Sequence, residues 1–260
     1  MRKNTILLRH TVVNNPIGKP FIELLSVDST NNYAMEMLRQ GHSKHGTVYF
    51  AYEQFAGKGQ RGKQWQTHPG ENIIISAVLD TSFLHVSNLF ILSISMALGA
   101  HDFFSSFVPD NVFLKWPNDL YYNDRKTGGI LIENIFRGKD WQNAVAGIGI
   151  NINQTVFDPS IANAISLQQI TGKVYDAVQL AKELCTFLEK RYRQLQNHES
   201  EALLKKYNSI LYKRGESMKF KKDNVVFSGI VKEVNANGQL IIEAGSEKAF
   251  DVGEIEWLTI

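Results

Sequence analysis

Apolar and polar positions change period several times along this chain, and the changes divide it into elements. Residues 22–27 alternate weakly and stop at Asp28-Ser29-Thr30. From 31 to 39 apolar side chains recur at helical spacing, so Asp28, Ser29 or Thr30 can cap a helix there, and Gly41 ends it. Residues 47–52 are β-branched and aromatic and read as a strand. Residues 72–79 are nearly all apolar, the pattern of a strand buried on both faces. Residues 89–104 have the length and periodicity of a buried helix. Short strands are then predicted at 112–115, 120–122, 129–136 and 141–152, and turn residues between them make an antiparallel meander the expected arrangement. Helical spacing returns over 177–195 and 199–211. After Arg214-Gly215 five short strands follow, at 217–221, 225–234, 239–243, 248–252 and 256–260. That density suggests a small barrel closing its own edges. The expected organisation is α+β, with a larger domain at 1–212 and a small one at 213–260.

Composition narrows the function without naming it. Apolar residues make up 43% and charged ones 21%, an ordinary globular balance with no sign of disorder. A net charge of +2 is too small for a broad nucleic-acid footprint, so functional positive charge has to be local. The single cysteine, Cys185, excludes an intramolecular disulfide and a cysteine zinc cluster, and its apolar helical setting predicts an inert core thiol. Met1–Arg9 has too short an apolar run for a signal peptide, and no stretch is read as a membrane span of about 18 apolar residues. A cytoplasmic protein bound to neither DNA nor membrane is expected.

Local charge is concentrated at Gly57-Lys58-Gly59-Gln60-Arg61-Gly62, followed by Lys63. The spacing satisfies the dinucleotide fingerprint G-x-G-x-x-G, and Asp80 stands about where that fingerprint wants a ribose-binding acid. The fingerprint works only if a helix begins at the loop, and His68-Pro69-Gly70 prevents one. What remains is glycine backbone able to approach a ligand closely, with cations to neutralise phosphate or carboxylate; alone, a solvated hairpin tip explains it as well. A second cluster is Lys115-Trp116-Pro117-Asn118-Asp119, followed by Lys126-Thr127-Gly128-Gly129. Proline fixes a turn that presents Asn118, whose amide can read a base edge, and Asp119, whose carboxylate can hold magnesium. A third is Gly147-Ile148-Gly149-Ile150-Asn151-Ile152-Asn153, a strand whose glycines let something pack flat on its backbone.

Together these segments resemble the biotin protein ligases. The matching pieces are Ser29-Thr30-Asn31, Gln54, 56–65, 115–119, Asp124-Arg125-Lys126, 129–133 and 147–153, with Gly253-Glu254-Ile255 in the tail. The resemblance implies a mixed sheet flanked by helices, related to the class II aminoacyl-tRNA synthetases, followed by an SH3-like barrel. It implies that biotin and ATP form biotinyl-5'-adenylate with Mg2+, and that a lysine of a biotin carboxyl carrier domain, in acetyl-CoA carboxylase or a related enzyme, then displaces the nucleotide. Biotin contacts fall on Ser29, Thr30, Asn31, Gln54, Lys58, Gly59, Gln60, Lys126 and Gly129. ATP contacts fall on Arg61, Lys63, Trp65, Lys115, Asn118, Lys126 and Asn151, with Asp119 at the metal. Lys126 is the central catalytic residue, assisted by Arg61 and Lys58. Many relatives carry arginine at positions 58 and 60, so here Arg61, Lys63 and Lys126 are expected to supply more of the charge. The short segment before the first strand resembles the monofunctional type, which lacks a DNA-binding domain; monomer and homodimer both stay open. A lipoate protein ligase and a non-catalytic biotin or nucleotide regulator are the alternative readings.

Overall fold

The computed structural model describes residues 15–158 and 163–258; the Met1–Arg9 stretch lies outside them. Seven strands form one sheet in the order β1-β2-β3-β7-β6-β5-β4. They are β1 (Phe21–Val27), β2 (Val48–Gln54), β3 (Ile73–Asp80), β4 (Val112–Lys115), β5 (Asp119–Tyr122), β6 (Arg125–Arg137) and β7 (Asp140–Ile150). β1 and β2 run parallel across the helix α1 (Thr30–Arg39), and the other neighbours are antiparallel. The expected meander therefore occupies half the sheet, with β6 longer than its apolar run because polar residues at both ends still pair, and β7 ending at Ile150, short of the expected 152.

The two faces of this sheet are used differently. On one, Ile148, Ile150 and Ile130 pack beneath α2 (Leu89–Ser105), α4 (Ala177–Gln196) and α5 (Ser200–Ser209). α2 is apolar all round, as a helix buried on all sides has to be. The stretch Val86–Ser105 does have the length and composition of a membrane span, contrary to the expectation from sequence, but most of it is buried inside the protein. Gly99 lets α2 and α4 approach closely, since a Cβ there would lie 2.9 Å from Leu188 Cδ2. On the other face α1 covers only part of the sheet, through Ala34 against Tyr49, Val78 and Val145. The rest of that face carries Gly129, Gly147 and Gly149, and the candidate site is built there.

A short helix, α3 (Leu167–Thr171), with a Ser166–Gln169 capping box, went unread in the sequence because five residues are too few to show a period. The carboxy-terminal strands β8 (Ser217–Lys222), β9 (Val225–Val234), β10 (Leu240–Ala244), β11 (Ser246–Phe250) and β12 (Glu256–Leu258) form a second sheet in the order β11-β10-β9-β8-β12. β11 and β12 are its two ends and do not pair, so the ladder is open where a barrel would close. Hydrogen bonds join this sheet to the larger one. Trp116 Nε1 donates to Gly238 O at 2.9 Å, and buried Asn208 donates to Val234 O at 2.9 Å while accepting from Val234 N at 2.8 Å.

Candidate active site

The glycine and cation segment is a small hairpin with no helix behind it, which disposes of the dinucleotide fingerprint. Lys58 bridges Gln64, Gly59 N donates to Lys63 O at 2.7 Å, and Trp65 N donates to Gly57 O at 2.9 Å. Gly57 is needed here, since a Cβ would lie 2.3 Å from Trp65 O. The tip, Gln60–Gly62, is a single 3-10 turn with Arg61 left-handed at φ 57°.

The hairpin folds down onto the glycine-lined face. The Trp65 indole lies flat over Gly149, where a Cβ would come within 2.4 Å of Cε2, and beside Gly129, where it would lie 3.5 Å from Cζ3. Lys126 Nζ is 5.7 Å from a Trp65 ring centroid and 2.6 Å from Asp119 Oδ1. Lys58 Nζ reaches Glu133 Oε1 on β6 at 3.6 Å. Thus Lys58, Trp65, Lys126, Asp119 and Gly129 come together: the hairpin brings the first two, Asp119 opens β5 opposite Gly129, and a register shift between Leu120 and Tyr121 lets Lys126, three residues from Gly129, reach the same face.

The expected biotin contacts also form one unit. Gln54 Oε1 accepts from Thr30 N at 2.7 Å and from Thr30 Oγ1 at 3.0 Å. Ser76 Oγ lies 2.8 Å from Thr30 Oγ1 and 2.6 Å from Asn31 Oδ1, and Asn31 Nδ2 donates to Glu133 Oε2 at 2.8 Å. Ser29, Thr30 and Asn31 are buried at the start of α1, where Ser29 is the N-cap but makes no side-chain capping bond. Gly147 is again a fitted position, because a Cβ would meet Asn31 Oδ1 at 2.3 Å. An open cavity of about 430 Å³ beside this network includes Asp28, Asn32, Lys58 and Glu133 in its lining.

Other expected contacts are engaged elsewhere. The Asn151 amide donates to Ile165 O at 3.2 Å and the Asn118 amide to Ile130 O at 2.7 Å, so both are tied to backbone. Arg61 lies against the second sheet, where a Cβ on Gly253 would be 2.9 Å from its Cζ. Gln60, Asn118, Phe90, Asn237 and Val252 help line a cavity of about 310 Å³ between the two sheets. Lys115 Nζ donates to Tyr121 Oη at 3.2 Å and faces the rings of Tyr121, Tyr212 and Trp257 at 4.8, 5.5 and 5.3 Å. Burial holds its ammonium below the usual lysine range, with Asp119 opposing that shift and Lys126 and Lys63 adding to it.

Sequence reasoning gave no role to Ser76, Glu133 or the three rings around Lys115. Ser76 did leave a signal, as the one hydroxyl inside an apolar strand. Among the described residues no group of three or more His, Cys, Asp or Glu is arranged to hold a metal by itself, which leaves Asp119 as a single carboxylate at this end of the sheet.

Comparison with known proteins agrees with the geometry. The model of the biotin/lipoate A/B protein ligase family matches residues 24–151. The bifunctional ligase/repressor BirA of Bacillus subtilis is 28% identical over 241 residues, covering 91% of this chain and 73% of that protein. The biotin--[acetyl-CoA-carboxylase] ligase of Paracoccus denitrificans is 27% identical over 228 residues, 84% of this chain and 92% of that one. The structure of the biotin protein ligase from Aquifex aeolicus in complex with biotin and ATP has the same fold, with a TM-score of 0.77 at 24% identity over 92% of this chain and 99% of that one. A hairpin of glycines and cations lies over a lysine–carboxylate pair, and with these relatives it makes this chain a ligase that carries a biotin/lipoate A/B protein ligase domain over residues 24–151.

Proposed function

We propose that this protein activates biotin with ATP as biotinyl-5'-adenylate and transfers the biotinyl group to one lysine of a biotin carboxyl carrier domain, in the cytoplasm. The observation that carries the proposal is the hairpin, which lays Trp65 on Gly149 and Gly129 beside Lys126. Biotin carboxylate and ATP are both anions, so bringing an oxygen within about 3 Å of the α-phosphorus needs cations and exclusion of water. Lys126 is the cation positioned to bridge carboxylate and α-phosphate, Lys58 and Lys63 approach from the hairpin, and Arg61 at its tip is turned to Gly253. Opposite charges 4 Å apart gain about 1 kcal/mol in water and about 4 at an effective dielectric of 20, so closure of the hairpin multiplies each contact. No side-chain nucleophile is required, because the acyl group passes from phosphate to an external amine.

The donor set fits magnesium in the mode it prefers with nucleotides. That ion takes one or two protein carboxylates and fills its shell with phosphate and water, and Asp119 offers one. When bound it would neutralise phosphate charge; the protein's own part is to orient the substrates and keep them dry. The network of buried Thr30, Asn31 and Ser76 with half-buried Gln54 favours a ring rich in hydrogen-bonding groups, the ureido ring of biotin, over the dithiolane of lipoate. The division at residue 212 would then separate the ligase unit from an SH3-like module whose Gly253 seats Arg61. Incubation with ATP, magnesium, biotin and a carrier domain should add one biotinyl mass to the carrier. Transfer of lipoate in place of biotin, or no transfer, would refute the proposal.

A further inference from the structure

Lys115 is held on the site face by groups that come from three separate parts of the chain. Tyr121 belongs to β5, Tyr212 follows α5, and Trp257 lies on β12 of the second sheet. Their ring centroids stand 4.8, 5.5 and 5.3 Å from Lys115 Nζ, within the roughly 6 Å over which a cation is attracted to a ring face. An ammonium has three donors, and Tyr121 Oη accepts one at 3.2 Å. Ring faces attract the charge without satisfying the other two donors.

The surroundings indicate what those donors are for. Lys115 is the cross-strand partner of Asp119, and Asp119 is held by Lys126 at 2.6 Å. Two lysines thus flank one carboxylate, with Lys63 of the hairpin near enough to act on Lys115 as well. The excess positive charge suits an anion larger than one carboxylate. A lysine stem is flexible, and holding it in one orientation is what lets a point charge select a position on such an anion. We infer that Trp257 is a positioning residue for nucleotide binding: its ring completes a cage that holds Lys115 Nζ on the site face, where the ammonium meets the polyphosphate of ATP. This rests on the proposed function for the site as a whole and gives the second sheet a defined part in it.

The test is a mutant cycle read by calorimetric titration, at saturating biotin and with the full chain, of an ATP analogue whose α,β-bridging oxygen is replaced by methylene so that no adenylate forms. Trp257→Leu keeps apolar bulk and removes the ring, and Lys115→Met removes the charge. Each is expected to weaken ATP binding on the order of tenfold, the loss when one charge-assisted contact goes. The double variant should bind no more weakly than Lys115→Met alone, because Trp257 acts through Lys115. Trp257→Phe should restore affinity to within about threefold, and biotin affinity measured without ATP should not move in any variant. Additive losses, normal ATP binding by Trp257→Leu, or an equal loss for biotin would each overturn the inference. If Trp257→Leu does not fold, the cycle is run with Tyr121→Leu and the same expectations. Biotin-dependent ATP–pyrophosphate exchange by the unaltered protein is scored separately. Exchange with an additive cycle refutes only the cage, a non-additive cycle without exchange refutes only the ligase reaction, and failure to bind ATP refutes both.

Discussion

Replacing Gly149 with alanine should disable the site while leaving the fold standing. The added Cβ would lie 2.4 Å from Trp65 Cε2 and 2.6 Å from both Cζ2 and Nε1. Carbon atoms pack best at about 3.5 to 4.0 Å, so the indole has to retreat by roughly 1 Å or more. Since the Trp65 amide is bound to Gly57 O at 2.9 Å, the indole either turns off the glycine face or lifts the hairpin that carries Lys58, Arg61 and Lys63 with it, and both courses uncover Lys126. A displacement of about 1 Å in a positioning element can cost about a hundredfold in rate, or roughly 2.7 kcal/mol of barrier. The backbone itself does not object, since Gly149 is not among the residues with positive φ. Stability should therefore change by only about 1 kcal/mol, the usual size for a substitution that leaves the core intact. Biotin-dependent ATP–pyrophosphate exchange gives the rate and a thermal melt gives the stability. A folded Gly149→Ala protein that exchanges at nearly the normal rate would refute the argument that hairpin closure on this glycine matters.

Lys126→Ala should slow adenylate formation at least about a hundredfold in the same assay, the usual loss when a donor to developing charge is removed, and a rate within a few fold of normal would take Lys126 out of the chemistry. Asn208→Ala should destabilise the protein by about 2 kcal/mol in chemical denaturation, because it leaves both backbone groups of Val234 without partners between α5 and β9. Arg191→Met should cost about 2 to 3 kcal/mol at neutral pH, since Arg191 holds Asp102 at 2.7 Å through Nε and Nη2. Burial raises the Asp102 carboxyl, but the His101 ring 3.6 Å away and the Arg191 guanidinium at 2.7 Å outweigh it and keep the group below the usual carboxylate range. The stability it contributes is full above the ordinary carboxyl value and is lost as pH falls through the depressed one, so the penalty of Arg191→Met should shrink in acid unfolding curves.

The sequence and the structure agree where one signal dominates. The buried helix α2 and the strand β3 are legible because most of their residues are apolar. The glycines at 147 and 149 were legible as a surface for close packing, and the structure supplies Asn31 and Trp65 as what packs there. Partners were not legible. Nothing in the spacing says that the Lys115 ammonium will meet a ring from residue 257, or that the Asn118 and Asn151 amides are tied to backbone carbonyls. Such pairings are long-range, and a one-dimensional pattern reports which face a residue occupies without saying what faces it. The barrel expectation shows the same limit: five short strands were read with the right spacing, but whether β11 and β12 meet depends on curvature that no residue pattern states.

Two cations of this site are matched by acids, Lys126 by Asp119 at 2.6 Å and Lys58 by Glu133 at 3.6 Å. A partly buried lysine without a counter-charge would be costly, so each acid keeps its cation in place at small expense. The arrangement also decides what can displace them. A single carboxylate gains no more from Lys126 than Asp119 already does, whereas a polyphosphate brings several charges to Lys126, Lys115 and the hairpin together. On the proposed function, exchange of Asp119 for substrate would be nearly balanced for biotin alone and favourable once nucleotide is present, and the two reactants would assist each other's binding. That coupling depends on the hairpin as well as on the lysines, because Lys58 and Trp65 reach the sheet from the same nine-residue segment, Gly57 to Trp65. Covering the site and collecting charge thus fall to one hairpin, and the glycines at 57, 129, 147 and 149 set how closely it and its neighbours pack.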